Sequence, residues 1–183
     1  MCYRTTLWVS FGMMCLVFMV QAASAQVENL TYNPSMEEDE SLTDMPGWGM
    51  WYLRAGMGSE AAFDESESID GARSLRIDPI GTADLHVNVG NQIIPLEVGT
   101  RYTVSFWAKA EEEKTMVVEW SSNDNVYFAV DWGYTQFDLT TEWAEYAFTS
   151  EAQYAQSKSK LNFLCGSNEA TMWLDFVWVY EGE

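Results

Sequence analysis

The stretch Tyr102-Thr103-Val104-Ser105-Phe106-Trp107-Ala108 alternates apolar and polar positions, with one exception. In a β-strand such alternation sends one set of side chains to a buried face and the other set outward. Trp107 falls in the outward set with Thr103 and Ser105, so we expect an indole on the polar side of a strand. Tryptophan offers a flat aromatic surface to a core or to a ligand. We therefore interpret Trp107 as a candidate binding platform.

Similar short alternating runs fill the rest of the chain, and no segment from Gln26 onward has a convincing helical period. Gly, Pro, Asn and Asp residues separate the runs, a pattern that predicts an all-β sandwich. The runs include Leu85 to Val89, Met116 to Trp120, Tyr146 to Phe148 and Met172 to Tyr180. We interpret Glu111-Glu112-Glu113-Lys114 as a solvated hairpin turn between two of the strands.

The first 25 residues have the form of a secretory signal peptide. Arg4 supplies a basic start, Leu7 to Val20 form an apolar run, and Ala23-Ser24-Ala25 matches a signal-peptidase site. The run is short for a membrane-spanning helix, and no other stretch of the sequence suits one. We expect cleavage after Ala25, export to the periplasm or the outside of the cell, and a single mature domain over residues 26–183.

The predicted mature domain is strongly acidic, with 8 basic against 28 acidic residues, or a net charge of −20. Nucleic acids and anionic membranes require a basic surface, so both are disfavoured as partners. Strongly anionic polysaccharides are disfavoured for the same reason. The charge is sufficiently explained by solubility.

Cys165 is the one cysteine of the predicted mature domain, because Cys2 and Cys15 belong to the signal peptide. A single cysteine forms no internal disulfide, so we expect packing, alone or together with a metal, to hold the domain together. The alternation places Cys165 on one strand face with Leu161 and Phe163. We expect a buried, unreactive thiol.

Several short motifs occur in a fixed order along the chain. They are Asn29-Leu30 with Asn33-Pro34-Ser35-Met36-Glu37, Trp48, Gly71-Ala72-Arg73-Ser74-Leu75-Arg76-Ile77, His86-Val87-Asn88-Val89 with Gln92, Leu96 to Ala110, Trp143 to Phe148, and Leu174-Asp175-Phe176-Val177. In order and spacing they resemble the carbohydrate-binding modules of families four and nine, with Met36 where the family has phenylalanine. The resemblance covers nearly all of residues 26–183.

This resemblance implies a galactose-binding-domain-like β-jelly-roll of two antiparallel sheets with a concave, glycan-binding face. It also implies a non-catalytic role beside glycoside hydrolases such as xylanases and glucanases. A β-glycan such as xylan or β-glucan is therefore the expected ligand.

Sugar rings present apolar faces between hydroxyl groups, so their recognition requires aromatic platforms flanked by amides and carboxylates. Outward positions of the predicted strands hold such groups, which line one face if the strands share a sheet: His86, Asn88, Trp107 and Glu119. Trp51 and Tyr52 in a glycine-rich loop, and Trp132 in a second loop, are further candidates. Alternatively, some of these aromatic residues only cover the sandwich edges. Trp120, Trp143 and Trp178 are expected in the core.

The resemblance further implies a structural Ca²⁺ where the opening motif meets the last strand. Glu37 matches the glutamate of the family, and Asp175 lies between apolar residues, where a carboxylate requires a cation or several hydrogen-bond donors. Carbonyl oxygens near Arg73 would complete the site. Alternatively, Asp175 pairs with Arg73 or Arg76, or caps a β-bulge.

Two other function classes remain open from the sequence. A structural or adhesive surface sandwich would contact protein through an apolar patch. A small glycoside hydrolase or lyase would need two carboxylates across the scissile bond, and Glu119 is the acid best placed for that role. The sequence has no Ser-His-Asp pattern, zinc cluster or phosphate loop.

Overall fold

The protein forms a two-sheet β-sandwich in a computed structural model that describes residues 27–38, 47–52, 54–122, 132–153 and 156–183. The predicted signal peptide, residues 1–25, lies outside this described part. Within it, two five-stranded antiparallel sheets face each other. The predicted all-β jelly-roll of two antiparallel sheets is confirmed. None of the helices found there is long and apolar enough to cross a bilayer.

The strands are numbered in chain order. Sheet I contains, in spatial order, β1 (Trp48–Tyr52), β4 (Val87–Leu96), β9 (Gln156–Leu164), β6 (Lys114–Ser122) and β7 (Trp132–Leu139). Sheet II contains β2 (Glu60–Asp64), β3 (Ser74–Asp78), β10 (Met172–Glu181), β5 (Arg101–Ala110) and β8 (Ala144–Glu151). Short 3₁₀ helices cover Arg54–Gly56 and Asp84–His86.

The core lies between the inner faces of the two sheets and is rich in aromatic rings. Phe106 of sheet II meets Phe163 of sheet I edge-to-face, with ring centroids 5.2 Å apart. Phe106 also packs on Tyr146 at 5.6 Å and against Phe137 at 5.3 Å. Each fully buried ring stabilises the fold by about 1.5–3 kcal/mol through the area it removes from water. The alternation that predicted the strands thus builds this core.

Cys165 is fully buried at the end of β9, as its apolar neighbours predicted. Burial raises the pKa of its thiol to about 12, because the thiolate would lose its hydration. The thiol is therefore protonated and unreactive at neutral pH.

The predicted core tryptophans divide between the interior and the outside. Trp120 is fully buried, and Trp48 is almost fully buried. The expectation was wrong for Trp143 and Trp178, which are both partly exposed and lie outside the core cluster. Trp143 lies 5.8 Å from the ammonium of Lys109, measured to its ring centroid. Trp178 follows a register shift in β10 that turns it outward.

Two local expectations were also wrong. The segment Glu111 to Lys114 is not a hairpin turn, because β5 and β6 belong to different sheets and the connection crosses between them. Lys114 is buried, and its ammonium donates to the carbonyl oxygens of Cys165, Asn168 and Ala170. Leu85 does not alternate into the core with Val87, because the chain forms a 3₁₀ helix there and leaves Leu85 60% exposed.

Candidate functional site

The outer face of sheet I brings polar side chains together on its three central strands. The inner positions of these strands hold core residues such as Val89, Trp120 and Phe163. Their neighbours in sequence must therefore point to the other side of the sheet. This outer surface is called the sheet I face; it carries Asn88, Asn162, Glu119, Lys160 and Ser121 on these strands and Gln136 on the edge strand β7.

Strand register aligns the residues of the sheet I face in rows. Gly49, Gly90, Asn162 and Glu119 form one row across four strands. The next row runs from Trp51 through Asn88, Leu164 and Val117 to Gln136. Two glycines in the first row leave one half of it without side chains, while its other half ends in an amide and a carboxylate.

The centre of the sheet I face is shielded from bulk solvent. Asn162 is only 2% exposed and Glu119 only 5%. The amide nitrogen of Asn162 donates to Ser121 Oγ at 2.7 Å. Burial lowers the pKa of the nearby Lys160 ammonium. The face therefore combines one carboxylate and one amine with uncharged hydrogen-bonding groups.

Two amide oxygens of the sheet I face lack hydrogen-bond donors. Within the described residues, Oδ1 of Asn88 and Oδ1 of Asn162 are buried and accept no hydrogen bond. A buried acceptor without a donor costs about 1–3 kcal/mol. Native proteins leave few such atoms, and each calls for a functional or structural explanation. These two oxygens are suited to accept hydrogen bonds from the hydroxyl groups of a ligand.

Aromatic residues lie toward the two edges of the sheet I face. Tyr134 of the edge strand β7 is 57% exposed. Trp51 of the opposite edge strand β1 pairs in register with Asn88. Tyr52 pairs with Val87, and Trp132 pairs with the core residue Trp120. The side chains of Trp51, Tyr52 and Trp132 lie outside the described part, so their predicted contact with a ligand stays a prediction.

A cavity of about 470 Å³ adjoins the sheet I face where β6 begins and β7 ends. Thr115 and Asp138, which pair with each other in the row beyond Val117 and Gln136, line it together with Asn168. The polar surface of sheet I therefore continues beyond the two central rows.

Trp107 does not belong to the sheet I face. Asn88 and Glu119 do share a sheet, as predicted, but β5 lies in sheet II. Trp107 pairs there with Asp175 and Glu145, and it points away from the core. The expectation that four residues line one face was therefore wrong for Trp107, since alternation gives the face of a strand but not its sheet.

His86 lies beside, not on, the sheet I face. It ends the 3₁₀ helix before β4, and its Nδ1 accepts a hydrogen bond from the Thr82 amide at 3.1 Å. The outward strand position predicted for His86 is wrong, because the strand begins one residue later. Its contact with a ligand stays a prediction.

The sequence reasoning missed Asn162, which is the most buried polar residue of the face. The signal was present, because Asn162 lies between Leu161 and Phe163 in an alternating run. Tyr134 and Lys160 were missed as well. Neither residue could be found in the same way, because the segments around them do not alternate clearly between apolar and polar residues.

The predicted metal residues converge on the loop of residues 69–73. Glu37 Oε1 accepts hydrogen bonds from the amides of Ala72 and Arg73, at 2.9 and 3.0 Å. Asp175 Oδ2 accepts from the amides of Ile69 and Asp70, at 2.7 and 3.1 Å. Both carboxylates therefore hold the same loop, which connects β2 to β3.

Asp175 is fully buried, and its second oxygen accepts from the Phe176 amide at 2.7 Å. Burial raises the pKa of Asp175, and the three amide donors oppose that shift only in part. The alternative of an arginine pair fits less well, because Arg76 pairs with Asp78 and the Arg73 guanidinium lies 4.4 Å from the Phe63 ring centroid. Backbone donors thus occupy much of the Asp175 carboxylate.

The chain was compared with family models, curated proteins and solved structures. The family model described as a carbohydrate binding domain matches residues 28–170. A solved CBM4 structure is 21% identical with a TM-score of 0.65, over 83% of this chain and 99% of that chain. No curated protein matches the chain.

Two further solved structures have the same fold. The N-terminal cellulose-binding domain of β-1,4-glucanase C from Cellulomonas fimi is 23% identical with a TM-score of 0.54, over 76% of this chain and 92% of that chain. The CBM22-1 xylan-binding domain of Xyn10C from Paenibacillus barcinonensis is 12% identical with a TM-score of 0.60, over 87% and 97%. At these identities the likeness supports the fold alone.

Proposed function

This chain belongs to the carbohydrate-binding domain family, and we propose that it binds a neutral β-linked glycan across the sheet I face. The observation that carries the proposal is the pair of donor-less amide oxygens on Asn88 and Asn162. Sugar hydroxyls are donors that such oxygens accept. Each hydrogen bond satisfied in this way removes a desolvation penalty that the free protein bears.

Aromatic and apolar groups supply the other half of the recognition. Tyr134 is exposed at one edge of the sheet, and Trp51 lies in register at the other. Leu164 and Val117 form an apolar strip between Asn88 and Gln136. A pyranose ring has apolar C–H faces, so it suits a floor that alternates apolar and amide groups.

Charge favours a neutral ligand. The full sequence carries a formal charge of −19. On the central strands of the face, Glu119 and Lys160 are diagonal neighbours among uncharged groups. An anionic polymer would be repelled by the protein as a whole. Xylan, β-glucan and related β-linked polysaccharides fit this requirement.

We further propose that the domain is exported, and that it binds without catalysing and supports glycoside hydrolases. Glycoside hydrolysis requires two carboxylates at a defined separation across the bond. Glu119 faces an amide, Asn162, across its strand pair. That arrangement suits hydrogen bonding to hydroxyls better than acid–base catalysis.

The test is calorimetric titration of the full chain with xylohexaose, cellohexaose, mixed-linkage glucan oligosaccharides and β-1,4-galactan oligosaccharides. We expect binding of at least one of them, weakened about tenfold or more by Asn88→Ala or Asn162→Ala, since each removes a ligand contact of about 1.4 kcal/mol. Asn91→Ala is the matched control, because Asn91 lies on β4 but on the buried side. Wild-type affinity in both outer-face variants would contradict the proposal.

We propose calcium as an accessory structural ion beside the loop of residues 69–73. Glu37, Asp70 and Asp175 concentrate negative charge there, and Ser35 Oγ binds Asp70 Oδ2 at 2.6 Å. Among the described residues, no three Asp, Glu, His or Cys side chains are grouped so that they could hold a metal. Backbone carbonyls, including that of Arg73, would have to supply the remaining oxygen ligands, as Ca²⁺ permits.

Calcium binding is tested by thermal unfolding of the full chain with added Ca²⁺ or with EDTA. A ligand that binds only the native state raises its stability. We expect Ca²⁺ to raise the melting temperature, and Glu37→Gln to abolish that rise. A melting temperature that neither Ca²⁺ nor EDTA moves would rule the ion out.

A further inference from the structure

Three tryptophans form a row on the outer face of sheet II, on the opposite side of the molecule from the sheet I face. They are Trp173 and Trp178 on β10 and Trp107 on β5, and all three are partly exposed. Trp107 pairs in register with Asp175, and Trp178 pairs with Ser105. Trp107 is therefore a diagonal neighbour of both other indoles, at about 7–8 Å for such pairs.

A β-bulge places Trp178 in this row. The register between β10 and β5 shifts between Asp175 and Trp178, and Phe176 has a φ of 47°, which is rare for a residue with a side chain. Without the extra residue, alternation from Leu174 would point Trp178 into the core. Bulges redirect side chains in this way and are common beside functional sites. The chain thus accepts local strain at Phe176 to expose an indole.

A hydrogen bond and a cation hold one end of the row, and an aromatic contact holds the other. Trp173 Nε1 donates to Asp64 Oδ2 at 2.8 Å, and the Lys109 ammonium lies 4.7 Å from its ring centroid. Lys109 is fixed in turn by Glu67 at 2.8 Å. At the other end the Trp178 ring packs edge-on against Phe176, with centroids 5.5 Å apart. Aromatic groups fixed in advance lose little conformational entropy when they bind.

The core does not require these indoles. Val104, Phe106, Leu174 and Val179 already fill the inner side of the same two strands. Outward indoles in a soluble sandwich are costly to hydrate and call for a surface ligand. The two cations beside Trp173, Lys109 and Arg76, already form ion pairs with Glu67 and Asp78. A neutral ligand therefore suits the row better than an anionic one.

We propose that the row Trp173, Trp107 and Trp178 is a second polysaccharide-binding face, which adsorbs to the surface of an insoluble β-linked polysaccharide. Pyranose rings have apolar faces that stack on indoles. Sheet II presents the partly exposed indoles beside the loop that binds Asp175, whereas the shielded sheet I face suits a single chain. The two faces lie on different sheets, so this proposal stands independently of the first.

The test measures adsorption of the full chain to microcrystalline cellulose and to insoluble xylan by depletion from solution. We expect wild-type protein to adsorb to at least one of them, and Trp107→Ala and Trp178→Ala to weaken adsorption about tenfold or more. Both variants should bind soluble oligosaccharides like the wild type. Asn162→Ala should instead weaken binding of soluble oligosaccharides and leave adsorption to the solids unchanged. Leu85→Ala is the control, since it removes a large apolar side chain that is 60% exposed and lies outside sheet II.

Ser105→Arg provides a test that removes no indole. Ser105 lies partly exposed between Trp107 and Trp178, so a long charged side chain there blocks the row while the core stays intact. We expect adsorption to be lost and thermal stability kept. The proposal is overturned if this variant adsorbs like the wild type, if Leu85→Ala loses as much adsorption as Trp107→Ala, or if the wild type adsorbs to neither solid.

Discussion

Glu119 on β6 lies directly opposite Asn162 on β9, at the centre of the sheet I face. Both side chains are almost fully buried although they lie on the outer side of the sheet. Residues of this type are rarely buried without partners that bind them. The pair therefore lies at the centre of the surface across which we propose that the ligand binds.

Glu119→Gln should weaken binding of the best soluble glycan about three- to tenfold. The amide keeps the size of the side chain, but it replaces charge-assisted hydrogen bonds, which are roughly twice as strong as neutral ones. Calorimetric titration measures the loss, and Glu60→Gln, an exposed change on sheet II, is the control. A reducing-end assay with wild-type protein should stay negative; activity that Glu119→Gln abolishes would instead favour the glycoside hydrolase or lyase.

Lys114→Met should lower the free energy of unfolding by about 2 kcal/mol, measured by urea denaturation. The buried ammonium donates to the carbonyl oxygens of Cys165 and Ala170 at 3.0 and 2.9 Å. Methionine fills a similar volume but leaves these acceptors without a donor. Lys109→Met is the matched control, because an ion pair nearer the surface contributes about 1 kcal/mol or less. Equal losses in the two variants would contradict the assigned role of Lys114.

Gly71→Ala should lower the melting temperature more than Gly99→Ala. Both glycines have positive φ, 71° and 79°, so both variants bear the backbone strain of a side chain there. A Cβ at Gly71 would also lie within about 2.5 Å of Glu37 Oε1, whereas a Cβ at Gly99 would meet nothing within 4 Å. The difference between the two melting curves measures the Glu37 contact with the loop. Identical shifts would mean that the loop yields without cost.

Asp84→Asn should raise stability at neutral pH, by a few tenths of a kcal/mol. Burial raises the pKa of Asp84 above its ordinary value of 3.8, more than nearby Lys114 lowers it. Relative to the unfolded chain, the native state therefore favours the protonated acid, so the contribution of Asp84 to stability is greatest below pH 3.8 and falls as the pH rises through the raised pKa. The gain of the variant should accordingly vanish in acid.

Removing any negative charge reduces repulsion in so acidic a protein, so Asp84→Asn needs a control. Asp138→Asn removes a carboxylate from an exposed residue. Thermal unfolding across pH should show a larger gain for Asp84→Asn than for Asp138→Asn. A gain that persists below pH 3.8 would contradict the assignment to ionised Asp84.

The sequence predicted the inward and outward positions of single strands well. Asn88 and Glu119 were assigned outward positions from alternation alone, and both lie on the sheet I face. Trp107 was also correctly assigned an outward position, but it was wrongly placed on the same face as Asn88 and Glu119. Pairing between distant strands decides which sheet holds β5. Long-range pairing of this kind leaves no local trace in a single sequence.

Trp178 shows the other limit. Regular alternation predicted a core position, and one extra residue at Asp175 and Phe176 reversed it. The bulge depends on contacts with remote segments, since the Val177 amide donates to the Pro34 carbonyl and Asp175 holds the loop at Ile69. A shift of one residue moves every later side chain to the opposite face.

The sequence by itself determined the strand class, the two-sheet sandwich, the buried thiol of Cys165 and the tryptophan excess. These follow from local periodicity and composition, which any strand carries within its own residues. Only the tertiary structure decided how the tryptophans divide: Trp48 and Trp120 to the core, and Trp107, Trp173 and Trp178 to an outer row. The physical reason is that sheet membership and bulges depend on hydrogen bonds between segments far apart in the chain.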